Sequence, residues 1–64
     1  MSEIEVYNNV ELTEDLPLYK LYKGDPGTVS EIYRNSKSFQ VEFLDESGNL
    51  IITLILFRHQ IRKI

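Results

Sequence analysis

Between Ser38 and Leu44 apolar and polar residues alternate: Phe39, Val41 and Phe43 fall on one side, Ser38, Gln40 and Glu42 on the other. A period of two predicts a strand with one buried face. Leu50 to Phe57 predicts a second strand of different character, because Leu50, Ile52, Leu54 and Leu56 face one way and Ile51, Thr53, Ile55 and Phe57 the other. Both of its faces are apolar. A small sheet has one core, so one set is left outside unless another segment covers it. Asp45-Glu46-Ser47-Gly48-Asn49 between them reads as a hairpin loop, with Gly48 free to take the left-handed conformation.

Upstream, Thr28 to Tyr33 has the β-branched and aromatic composition of a strand. Its core candidates Val29 and Ile32 have opposite parity, which predicts a bulge near Ser30 and Glu31. The preceding Lys23-Gly24-Asp25-Pro26-Gly27 is a turn in which Gly24 and Gly27 can take positive φ and Pro26 holds Asp25 extended. Asn35-Ser36-Lys37 is a further turn. A short strand is expected at Val10-Glu11-Leu12, then a loop or single helical turn ending near Pro17. Leu16, Leu18, Tyr19, Leu21 and Tyr22 load residues 13–22 with apolar surface, so this segment is expected to fold over one end of the sheet. After Phe57, Arg58-His59-Gln60 suits a 3₁₀ connector leading into a short closing strand that holds Ile61. Residues 1–9 form a lead-in, with Ile4 and Val6 able to cover the outer face of residues 50–57; the alternative leaves that face exposed.

With 64 residues the chain holds one domain, a lead-in over 1–9 and a barrel over 10–64. A domain of this size buries only about 60% of its unfolded surface. There are no cysteines, which removes disulfides and thiolate metal sites and fits a cytoplasmic setting. Residues 1–5 lack a basic start followed by an apolar run, so no secretory signal is expected there. No apolar run approaches the roughly 20 residues of a membrane helix. The net charge of −3 disfavours nucleic acid as the main partner. Acidic residues crowd the first fifteen positions and basic ones the last seven, which predicts a weak attraction between neighbouring termini.

The run Leu21-x-Lys23-Gly24-Asp25-x-Gly27-Thr28-Val29 resembles the strand–turn signature of KOW-type and related SH3-like small barrels. Together with Leu12-Thr13-Glu14-Asp15-Leu16-Pro17, Val41-Glu42-Phe43, Gly48 and Ile61-Arg62 it resembles a domain-of-unknown-function family of short bacterial, often cyanobacterial, proteins, over about residues 10–62. The resemblance implies an all-β, SH3-like (KOW-type) barrel of about five strongly bent antiparallel strands, with a short 3₁₀ turn before the last. It implies no established activity. Members often sit beside larger proteins, which implies an accessory or neutralising role. Pro26 departs from the apolar residue expected at its position.

Catalytic chemistry finds little support, and no enzyme activity, cofactor or metal is expected. His59 is the only histidine and would need a carboxylate set around it to hold a metal. Asp25 fits a turn cap better than an acid or base. Ser36 and Ser38 have no adjacent base. The glycine spacing is not followed by the Gly-Lys-Ser/Thr of a phosphate loop. Two surfaces remain as candidates. Ile51, Ile55 and Phe57, with Tyr33, could dock another protein or a second copy of this chain. Tyr19 and Tyr22, with Lys20, Lys23 and Arg34, could instead form an aromatic and basic groove for peptide or RNA, or simply cap the sheet with their hydroxyls in water. The expected function is a non-enzymatic protein-interaction or accessory module that regulates or neutralises a neighbour or self-associates; the alternative is weak RNA binding of the KOW type.

Overall fold

The computed structural model describes residues 3–64; Met1 and Ser2, the first two positions of the lead-in, lie outside the described residues. The elements in chain order are β1 (Asn9–Leu12), a 3₁₀ turn η1 (Pro17–Tyr19), β2 (Pro26–Tyr33), β3 (Ser38–Leu44), β4 (Leu50–Phe57), a second 3₁₀ turn η2 (Arg58–Gln60) and β5 (Ile61–Lys63). The two strands predicted from alternation occupy their expected spans. β2 starts earlier than its β-branched composition indicates, because Pro26 and Gly27 pair with Glu11 and Val10 of β1.

All neighbouring strands are antiparallel, in the order β4-β3-β2-β1-β5. The all-β, five-stranded expectation is met, but the closed barrel is not: β4 and β5 are the two edges and share no ladder. The three-residue β5 is spent on β1, where Glu11 faces Arg62 and Leu12 faces Ile61. The sheet nonetheless bends strongly. Laid flat, it would separate its edge strands by about 19 Å, four spacings of about 4.8 Å, whereas η2 carries the chain from β4 to β5 in three residues, roughly 6 Å of 3₁₀ rise. The register slips between Val29 and Glu31, the bulge that the parity of Val29 and Ile32 requires.

The concave face holds the core: Val10, Leu12, Val29, Phe39, Val41, Phe43, Leu56 and Ile61 are buried, with Ile4 and Leu21 closing it. Ile32, Ile52 and Leu54 are partly buried against this cluster. Of the apolar load on residues 13–22, Leu21 is buried and Leu16 packs on the core, joined to Leu21 by an isolated bridge. Leu18, Tyr19 and Tyr22 stay exposed, so this segment covers the sheet end with two side chains rather than five.

Gly24 has the expected positive φ, +94°, but Gly27 does not. Gly27 lies inside β2, where a Cβ would meet Val41 Cγ1 at 2.6 Å and Phe43 Cε1 at 3.0 Å. It is needed for close approach, not for a turn. The Asp25 carboxylate accepts the Tyr22 N–H at 2.9 Å, and the Asp25 N–H donates to the Tyr22 carbonyl at 2.9 Å, the geometry of a turn cap.

Candidate interaction surface

Register arranges the convex face in cross-strand rows: Tyr33 beside Ser38 beside Phe57, then Glu31, Gln40 and Ile55, then Thr28, Glu42 and Thr53. On β2 and β3 these rows are largely polar, and side-chain hydrogen bonds link Tyr33, Glu31, Gln40 and Ser30. The Tyr33 hydroxyl donates between Gln40 Oε1 (3.0 Å) and Glu31 Oε2 (3.3 Å), while Gln40 Nε2 donates to Ser30 Oγ at 3.0 Å. Desolvation raises the Tyr33 phenol above its ordinary value near 10, and the Glu31 charge and hydrogen bond push it the same way. Ser38, flanked in register by the Tyr33 and Phe57 rings, is the one buried polar side chain among the described residues. Its small size and central place in the row allow that burial; alternation alone would put it in water.

On β4 the same face turns apolar. Ile55 and Phe57 are 53% and 55% exposed and Tyr33 37%; Ile51, the extra residue where β4 slips against Leu44, stands outside these rows and is 56% exposed. The described part of the lead-in, residues 3–9, does not cover them. Ile4 is buried in the core, Val6 is exposed, and the Tyr7 N–H donates to the Val29 carbonyl at 2.6 Å, which places this segment along β2, two strands from β4. His59 stacks on Phe57, ring planes 4° apart and centroids 6.3 Å apart, so its position has a packing explanation. η2 itself is fastened to the loop after β1: Thr13 Oγ1 donates to the His59 carbonyl at 2.6 Å and the Thr13 N–H to the Gln60 carbonyl at 2.9 Å.

The aromatic and basic residues of the alternative groove are only partly brought together. Tyr19, Lys20, Tyr22 and Lys23 lie on η1 and the turn before β2. Arg34 follows the far end of β2, eight residues or roughly 26 Å of strand away. Lys20 opens onto a shallow hollow with Phe43 and Ile51 in its wall, ringed by Asp25, Asp45 and Glu46. Three carboxylates around one ammonium make a poor phosphate site. Among the described residues no group of three or more His, Cys, Asp or Glu side chains could hold a metal ion, and no helix is long and apolar enough to cross a membrane.

These features define the class: a small all-β domain made of one bent antiparallel sheet. The chain belongs to the family described as a domain of unknown function (DUF4926), whose model matches residues 6–63. Searches of curated proteins and of solved structures gave no match.

Proposed function

We propose that this protein is a non-enzymatic interaction or accessory module that docks through the convex face of β4, regulating or neutralising a neighbouring protein or associating with itself. The observation that carries the reading is the half-exposed set Ile51, Ile55 and Phe57 on a strand without a charged residue, left uncovered by the described residues of the lead-in. Fully burying one such side chain is worth about 1.5–3 kcal/mol. Completing the burial of three that are half exposed would supply a few kcal/mol, substantial beside the roughly 3–10 kcal/mol that stabilises a domain of this length. The finer fold reading belongs to the same proposal: an SH3-like sheet whose edges approach without pairing, leaving one long edge free for a partner. Nucleic acid fits less well, since Arg34 is remote from Lys20 and Lys23 and carboxylates surround Lys20.

The test compares the wild-type chain with Phe57→Ser and Ile55→Lys for self-association and for retention of partners from the source organism. Loss of association in both variants, with unchanged circular dichroism, supports docking through β4. Unaltered association and solubility in both would overturn it.

A further inference from the structure

We infer that the surface proposed above recognises a second copy of this chain by edge-to-edge pairing of β4, antiparallel about a two-fold axis at Leu54; this rests on the docking reading and names its partner. β4 is an edge strand of eight residues, Leu-Ile-Ile-Thr-Leu-Ile-Leu-Phe, with no charge and no proline. Long, uncharged edges without proline are templates for another strand. The opposite edge is the reverse: β5 has three residues, two of them Arg62 and Lys63. One edge is open and the other blunted, so pairing through β4 closes at two copies instead of running on into a fibre.

The backbone identifies the register. The Phe57 N–H donates to Gln60 Oε1 at 2.8 Å, so it points away from β3. Alternate residues of an antiparallel strand turn their N–H and C=O groups to the same side, which leaves those of Ile55 and Thr53 facing the open edge. The register slip between Phe43 and Leu44 leaves Ile51 as the extra residue of β4 and ends the regular stretch there. Thr53 and Ile55 therefore carry the free groups, and the antiparallel register that uses both sets Thr53 of each copy opposite Ile55 of the other, with Leu54 facing Leu54 on the axis.

Side chains agree with this choice. Counting along the strand, Ile51 falls opposite Phe57 of the second copy at the end of the ladder, beside the Gln60 side chain that takes the Phe57 N–H, so each of these two half-exposed residues gains an apolar neighbour. On the concave face Ile52 falls opposite Leu56, extending a core in which Ile52 and Leu54 are only partly buried. The flanks agree in charge. Antiparallel order sets the Arg58 end of one β4 beside the Asp45 and Glu46 hairpin of the other, twice by symmetry; a parallel pairing would set like ends together.

The chain contains no cysteine, so introduced thiols report geometry cleanly, and both chosen positions are exposed. In the proposed register, Thr53→Cys mixed with Ile55→Cys brings the two α-carbons to about 5.5 Å, within the range of a disulfide. Each variant alone holds its two thiols about two residues out of register. Mild oxidation of the mixture is expected to yield crosslinked heterodimer in several-fold excess over either homodimer, and sedimentation equilibrium of the unmodified chain a dimer that Ile55→Lys weakens by roughly tenfold or more, through like charges brought close to the axis. A monomeric wild-type chain, or equal crosslinking of the mixture and the single variants, overturns the pairing. If the wild type is monomeric yet Phe57→Ser still loses a different protein partner, self-pairing falls and the docking reading stands; if neither association exists, both fall.

Discussion

Replacing Gly27 by alanine adds one methyl group at the tightest point between β2 and β3. The new Cβ would lie 2.6 Å from Val41 Cγ1, 3.0 Å from Phe43 Cε1 and 3.2 Å from the Glu42 carbonyl oxygen. Carbon atoms in contact ordinarily sit about 3.5–4.0 Å apart, so roughly 1 Å must be found. Val41 is fully buried and β-branched, with little rotamer freedom to yield. Phe43 is held just as tightly, and the carbonyl belongs to the ladder. Overpacking of this kind costs about 1–3 kcal/mol. Alanine returns about 0.4–1 kcal/mol by restricting the unfolded chain, for a net loss of about 1–2 kcal/mol. At about 4–8 °C per kcal/mol in a domain of this size, Tm should fall by roughly 5–15 °C. Thermal and urea denaturation followed by circular dichroism measure this directly. Val41→Ala, destabilising alone, should recover part of the loss in the Gly27→Ala background, with a coupling of at least about 0.5 kcal/mol. Gly24→Ala supplies the contrast: no atom lies within 4 Å of its Cβ, but φ is +94°, so its cost is backbone strain that Val41→Ala cannot relieve. An unchanged or raised Tm for Gly27→Ala, or strict additivity with Val41→Ala, would show that the added methyl group is accommodated without overpacking.

Three further outcomes are expected. Arg34, Asn35 and Ser36 run consecutively at positive φ, Ser36 at +69°; Ser36→Gly should raise stability by roughly 0.5 kcal/mol in urea titrations, since glycine meets no Cβ penalty there. The raised Tyr33 phenol makes a contribution that is complete below its ordinary value near 10, where both states are neutral, and is lost as pH rises through the folded-state value; Tyr33→Phe should therefore flatten part of the alkaline fall in Tm, and an identical slope in the variant would contradict this. Gln60 receives the Phe57 N–H through Oε1 and donates to Glu14 Oε2 at 3.2 Å; Gln60→Ala should cost about 1 kcal/mol and speed hydrogen exchange at the Phe57 amide, whereas unchanged exchange would show that the amide is protected otherwise.

Much of the architecture was legible in the residues because strand signals are local. The alternation from Ser38 to Leu44, the two apolar faces of residues 50–57, the parity conflict between Val29 and Ile32 and the short Arg58-His59-Gln60 connector each produced the element expected of them. The opposite charges near the two ends meet as well, in the ion pair between Glu11 and Arg62 on adjacent strands. The candidate surface was legible only in part. Excess apolar side chains on residues 50–57 could be counted, but their exposure depended on where the lead-in ran. The groove residues could be named, but Arg34 and Lys20 proved to stand at opposite ends of β2 and β3.

What the residue pattern alone determined is the set of strands, the face β3 turns inward and the place where β2 must bulge, since these follow from the two-residue period and the chemistry of neighbouring side chains. Folding of the whole chain set the rest: β4 is an edge, the sheet stops short of closing, Gly27 serves a close approach and Ile4 goes to the core instead of over Ile55. Each of these depends on a pairing between segments distant in the chain, and a side-chain period of two records which face is apolar but not which strand, if any, lies alongside.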